Sequence, residues 1–285
     1  MTALTLAPPK RSVTESLELM TMLWPPQPGG VGLLAKGFMR VYLKTHTFNE
    51  DRLFRTVLEK TDRPLITVAN HASMCDDPGM WGVLPWSILT HKHRMRWSMG
   101  AKEICFTTPL TSWFFASGQV IPTVRGDGIY QPAVNKAIEK LNDNAWIHVS
   151  TPSGKINQES TDLLPFRWGV ARLIMESKVP PLFIPIWHKG FVDVMPEATD
   201  FYFPRPRAEV VLAYGEPIDF AANGVLDHAR SLPDPKAARI YLTEQVFKST
   251  VALQRATEKR LGDPHWRHAK DPQRDAKPPR WGDPS

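Results

Sequence analysis

The chain predicts an α/β fold with a central, mostly parallel sheet flanked by helices, and three observations carry that prediction. Short β-branched or aromatic runs alternate with helical segments of crossover length from residue 65 to residue 187, the pattern of parallel strands joined by helices. The chain has 285 residues and 42% hydrophobic content, enough to bury one substantial core. No internal repeat is visible, which sets solenoids and propellers aside.

Residues 1–30 carry Pro8-Pro9, Pro25-Pro26 and Gly29-Gly30 without an apolar period, so a loosely structured lead is expected. From Val31 to Lys44, apolar Val31, Leu34, Phe38, Val41 and Tyr42 follow helical spacing, and Lys36, Arg40 and Lys44 form a basic stripe. This predicts an amphipathic helix, which lies either in a lipid headgroup layer or packed on the core. A helix at Glu50–Lys60 follows. Strands are then expected at Leu65–Ala69, Met95–Met99, Val120–Val124, Trp146–Ser150, Pro181–Trp187 and Ala208–Tyr214. Helices are expected at Pro78–Thr90, Ile104–Ser117, Tyr130–Asn142, Leu163–Ser177 and Lys236–Leu261. The folded domain is therefore expected to span 31–261. Residues 262–285 mix prolines with charges of both signs, a composition that builds no core, and predict a disordered tail.

A net charge of +6 and pI near 9.3 suit an anionic partner, which charge alone leaves open among nucleic acid, an acidic metabolite and an anionic lipid surface. No recognition helix, zinc spacing or aromatic RNA motif supports nucleic acid. Cys75 and Cys105 are too few for a disulfide framework and sit in no metal-binding cluster. No run reaches the roughly 18–20 apolar residues of a membrane-spanning helix, and the first thirty residues lack a compact secretory signal core. Ten tryptophans and thirteen phenylalanines suit either a membrane interface or a core.

The chemistry concentrates in Asn70-His71-Ala72-Ser73-Met74-Cys75-Asp76. A spacing of five turns too far round an ideal helix for His71 and Asp76 to share a face, so they must meet at a strand-to-helix junction. Ser73 is expected to cap the helix that begins near Asp76 and Pro78. The imidazole then stands at the carboxyl end of a strand, where open α/β sheets bind ligands. A carboxylate on one ring nitrogen fixes the tautomer and raises the basicity of the other, as needed to take a proton from an alcohol. A buried structural His–Asp pair is the alternative. Cys75 as a thioester nucleophile lacks a neighbour besides His71 that would lower its pKa. A metal site on His71, Asp76 and Asp77 lacks a second histidine at ligand spacing.

Thr67 to Pro78 resembles the first motif of the glycerolipid acyltransferases, and among them the tafazzin family. The similarity continues through Trp81-Gly82, Arg96-Trp97, Ile104 to Thr107, Gly126 to Gln131, Glu139 to Asn142, Phe166 to Ile174, Pro185 to His188, Asp193 to Pro196 and Phe203 to Arg205. It covers roughly residues 31–220, and several blocks in order are far more specific than one His–Asp spacing. The resemblance implies a glycerolipid acyltransferase-like fold with an N-terminal membrane-associating helix. It also implies a coenzyme A-independent phospholipid–lysophospholipid transacylase that remodels the acyl chains of cardiolipin. His71 would be the base and Asp76 its orienter. Arg125, after the strand Val120–Val124, matches the second motif and would bind phosphate, which a guanidinium fork suits.

Pro152, Ser153, Gly154 and Lys155 align with the third motif, but Thr151 replaces its aromatic residue and Ser153 its glutamate. The stretch from Trp146 to Gly154 is also one residue longer than the family pattern. This departure leaves weakened activity, altered substrate choice or a lipid-binding protein without catalysis open. Gly154 and Lys155 still suit a phosphate. Ile184 and Pro185 match the fourth, apolar motif, which would line an acyl-chain site, with core packing an equal explanation. Because exchange between two esters is nearly isoenergetic, no cofactor, ATP or metal is demanded. The expected partners are phospholipids and lysophospholipids, above all cardiolipin and monolysocardiolipin, at a membrane surface, with nucleic acid not among them. The implied location is mitochondrial, on membranes facing the intermembrane space, although the N-terminus carries no convincing presequence. An acyl-CoA-dependent lysophospholipid acyltransferase uses the same His and Asp and is the second expectation.

Overall fold

A computed structural model of the protein describes residues 28–59, 62–151, 162–196 and 203–263. The lead up to residue 27, the third-motif residues Pro152, Ser153, Gly154 and Lys155, and the tail from residue 264 lie outside that set.

Seven strands form one sheet: β1 (Lys44–Phe48), β2 (Leu65–Asn70), β3 (Trp97–Ala101), β4 (Val120–Thr123), β5 (Trp146–Thr151), β6 (Leu182–Lys189) and β7 (Glu209–Tyr214). Their order is β1-β7-β6-β2-β5-β3-β4. All neighbours pair parallel except β6 and β7, so the sheet is mostly parallel as expected. Successive strand residues point to opposite faces, and the core divides accordingly. Ile66, Val68, Ile147 and Phe183 pack under the helices Pro132–Asn142, Gly169–Glu176 and Pro235–Arg260. Leu65, Ala69, Trp146, Ile184 and Ile186 face the other way, toward Met39, Leu53, Trp81 and Ile88. A β2 buried on both sides explains the largely apolar run Leu65–Ala69, in which even the polar Thr67 is buried.

Several elements differ from their expected form for identifiable reasons. The helix expected over 31–44 is α-helical at Pro28–Gly37, widens into a π-helical turn at Phe38–Tyr42 and gives way to β1. Strand β1 is short and polar, and parallel pairing with β7 supplies what its sequence lacks. The helix's buried face is Gly32, Ala35, Met39 and Leu43, whereas Leu33, Leu34 and Val41 point outward. Lys36 leaves the basic stripe: its Nζ donates to the Leu84 carbonyl at 2.6 Å and lies 5.0 Å over the Trp86 ring.

The helix expected over 78–90 breaks into Asp76–Met80, a 3₁₀ turn at Trp81–Val83 and Trp86–Leu89, with Pro85 at the second break. The segment expected over 104–117 divides into Lys102–Cys105 and Pro109–Ser117, because Thr108 and Thr111 form a capping box that starts a new helix. The carboxylate of Asp234 caps the long C-terminal helix at Lys236 N and Ala237 N.

Candidate active site

The parallel strands β2, β4, β5 and β6 all point their carboxyl ends toward one edge of the sheet, and the candidate residues follow from that polarity. His71 comes directly after β2, Arg125 two residues after β4, and His188 lies near the end of β6. Pro152 to Lys155 follow β5 in sequence but lie outside the described residues.

His71 and Asp76 meet as their spacing predicts, with Nδ1 of the ring 2.8 Å from Oδ1 of the carboxylate. Ser73 does not cap the helix Asp76–Met80; the Asp76 side chain folds back instead. Its Oδ2 accepts from Ala72 N at 2.7 Å and Ser73 N at 3.0 Å, and its Oδ1 accepts from Asp77 N at 2.6 Å. These backbone donors pin the carboxylate, and its bond to the imidazole places the His71 proton on Nδ1. His71 Nε2 has no hydrogen-bond partner among the described residues and stays open to solvent. Burial pulls the His71 pKa down, but the charge of Asp76 and its hydrogen bond outweigh this and leave it raised. Burial acts to raise the Asp76 pKa, yet the charge and bond of His71, helped by Ala72 N, hold it below the usual carboxylate range.

Asp77 points elsewhere: its Oδ1 accepts from Trp81 Nε1 at 2.9 Å and faces the buried Arg96 at 3.7 Å. Arg96 also donates to the Gly118 carbonyl at 2.5 Å and stacks on Trp81, 5.0 Å from the ring centroid. Sequence reasoning missed this pair, although Asp77 and Arg96-Trp97 both lay in blocks of resemblance. It also missed His188, whose Nε2 lies 3.5 Å from Asp76 Oδ2.

Arg125 is half exposed, and its Nε lies 3.3 Å from Glu103 Oε1. Its charge makes a minor contribution that acts to lower the pKa of His71. Ile184 and Pro185 lie in mid-strand, buried in the core. Pro185 packs against Gly215, whose backbone N–H donates to the Pro185 carbonyl at 2.8 Å. Cys75 is no activated nucleophile, because burial and then Asp76 push its thiol up to about 11.

The arrangement offers an oriented base with a fixed carboxylate behind it, enough to deprotonate a hydroxyl.

A family model described as Acyltransferase matches residues 46–189, half of the chain. Tafazzin of Drosophila melanogaster is 39% identical over 231 residues, which cover 80% of this chain and 60% of that protein. An N-acylphosphatidylethanolamine synthase of Arabidopsis thaliana is 37% identical over 195 residues, covering 67% of this chain and 68% of the plant protein. The chain thus spans about 60% of the fly relative's length. The crystal structure of the 1-acyl-sn-glycerophosphate acyltransferase from Thermotoga maritima superposes with a TM-score of 0.52 at 17% identity, covering 86% of this chain and 84% of that one. At that identity it speaks to the fold, which is the same mostly parallel α/β arrangement. The matched region contains both His71 and Asp76, and with these relatives it establishes that the chain belongs to the glycerolipid acyltransferase family.

Proposed function

We propose that the protein is a phospholipid–lysophospholipid transacylase. The observation that carries this reading is the 2.8 Å His71–Asp76 pair, which leaves Nε2 as an open, strengthened base at the carboxyl edge of the sheet. His71 Nε2 takes the proton from the free glycerol hydroxyl of a lysophospholipid, and the oxygen attacks the ester carbonyl of a donor phospholipid. When the tetrahedral adduct collapses, the imidazolium returns the proton to the departing glycerol oxygen. The acceptor becomes a diacyl lipid, the donor becomes a lysolipid, and no protein nucleophile is consumed. Arg125 offers its guanidinium to a phosphodiester by exchanging Glu103 for it.

Similarity to the fly tafazzin supports cardiolipin and monolysocardiolipin as the substrate pair, and with them a mitochondrial membrane facing the intermembrane space. Among the described residues no helix is long and apolar enough to cross a membrane. Contact with the bilayer is assigned to the outward leucines of the helix Pro28–Gly37 and to Leu110 on the helix Pro109–Ser117, which packs beside it. A second reading is favoured by the plant relative, whose name is that of a synthase for N-acylphosphatidylethanolamine: the same base would then deprotonate an amine.

The test is acyl transfer from a labelled phosphatidylcholine in liposomes. Monolysocardiolipin, phosphatidylethanolamine and lysophosphatidic acid serve as acceptors, with and without acyl-CoA. Transfer to monolysocardiolipin without coenzyme A is expected. Strict acyl-CoA dependence would replace the transacylase with an acyl-CoA-dependent acyltransferase, and an amide product would establish the second reading.

A further inference from the structure

The buried histidine at the end of β6 has no part in the proposed reaction, yet it lies against Asp76 and bonds the residue that precedes His71. The backbone ladder between β2 and β6 runs from Leu65 opposite Leu182 to Ala69 opposite Ile186. Beyond it the side chain of Asn70 takes over. Its Oδ1 accepts from His188 N at 2.9 Å and its Nδ2 donates to the His188 carbonyl at 2.8 Å. The ring then folds back, with Nε2 2.7 Å from the Asn70 carbonyl oxygen. A carbonyl only accepts, so Nε2 carries the proton. That N–H also faces Asp76 Oδ2 at 3.5 Å.

Strand pairing alone does not explain this ring. Its Nδ1 is buried and has no hydrogen-bond partner among the described residues, an unfavourable situation that a hydrocarbon side chain would avoid. Phe191 packs edge-on at 5.1 Å and keeps the ring from turning. Burial pushes the His188 pKa down, and the charged groups acting on it are Asp76, His71 and Asp77. One neutral ring therefore holds the carbonyl of the residue that precedes His71 and lies against the outer oxygen of the carboxylate that orients it.

We infer that His188 is a positioning residue for the His71–Asp76 pair. Its Nε2–H, donated to the Asn70 carbonyl, fixes the backbone from which His71 extends and so keeps His71 Nδ1 aligned on Asp76 Oδ1. The inference rests on the reading of His71 as the base, and it adds a third side chain to that machinery. Its consequence is kinetic. Loss of the donor frees the Asn70 carbonyl and with it the backbone that places His71, and misplacement of a catalytic group by about 1 Å can cost on the order of 100-fold in rate.

The experiment compares the native chain with His188→Leu and His188→Gln, glutamine being able to present an N–H near the position of Nε2. For His188→Leu, kcat is expected to fall roughly 10- to 100-fold while the KM for lysolipid stays within about twofold, and His188→Gln is expected to recover most of the loss. The downfield proton resonance of His71 Nδ1–H, read by NMR, is expected to shift or broaden in His188→Leu. A natively folded His188→Leu with unchanged kcat and an unchanged resonance would overturn the inference, as would a change confined to KM. If the leucine variant does not fold, the nitrogen shifts of native His188 decide, because a proton found on Nδ1 contradicts the geometry. Activity that survives His71→Ala would overturn the base reading instead, while the resonance would still report on His188.

Discussion

Asp76 and Asp77 are adjacent and both charged, the first buried and the second partly so, and their roles divide by what surrounds them. Asp76 is filled by three backbone N–H groups and His71, whereas Asp77 is held by Trp81 and Arg96. A base works only when neutral, so the rate should rise with pH through the His71 pKa. Because that pKa is raised above 6.5, the acid limb of the pH–rate profile is expected to have its midpoint above 6.5. Asp76→Asn removes the charge that raises it, so the limb should move to lower pH while the rate falls about 100-fold or more. Steady-state rates across pH 5–9 check both.

His148 responds in the opposite sense. Trp146 Nε1 donates to Thr67 Oγ1 at 2.9 Å, and Thr67 Oγ1 lies 2.9 Å from Nδ1 of the buried His148 ring. Burial holds its pKa down at about 4 against an ordinary 6.5. The unfolded chain takes up this proton first, so its contribution is complete above pH 6.5 and falls away as the pH drops toward 4. The loss amounts to about 3 kcal/mol. Urea unfolding as a function of pH should show that slope, and His148→Leu should flatten it.

Among the elements, the broken segment after the first motif depends on a close approach that no residue with a side chain permits. A Cβ on Gly82 would collide with the backbone of Ala35, while Lys36 bonds the carbonyls of Gly82 and Leu84 from the same helix. Gly82→Ala is expected to destabilise the fold by about 1–3 kcal/mol and to loosen the helix Pro28–Gly37, measurable as a lower Tm and faster amide exchange there. This contact also marks a limit of legibility. Helical periodicity was readable in 31–44, but which face is buried is set by Gly32 and Ala35 meeting the turn at Trp81–Val83, a tertiary fact. The strands of the sheet interior were readable because both of their faces are apolar. Edge strand β1 was not, because its Lys and His alternate with Thr and its pairing is supplied by distant β7.

Across the whole molecule, the parallel strands gather His71, Arg125 and His188 at one edge. The His71–Asp76 pair was legible because one strand-to-helix junction carries both residues. His188 was not, because it reaches Asp76 across 112 positions of chain and through sheet order alone. The proposed membrane contact follows from exposed Leu33, Leu34 and Leu110 on two neighbouring helices. Leu34→Glu with Leu110→Glu is expected to weaken liposome binding roughly tenfold in a sedimentation assay and to leave the Tm unchanged, since neither side chain is in the core.

In the proposed reaction His71, aligned by Asp76, deprotonates a lysophospholipid for direct acyl exchange. The most direct measurement is coenzyme A-free transfer of labelled acyl chains from phosphatidylcholine to monolysocardiolipin, comparing the native chain with His71→Ala. Exchange by the native protein and a loss of about 100-fold or more in the variant are expected. Equal exchange by the two proteins, or binding to liposomes without any exchange by the native one, would contradict it.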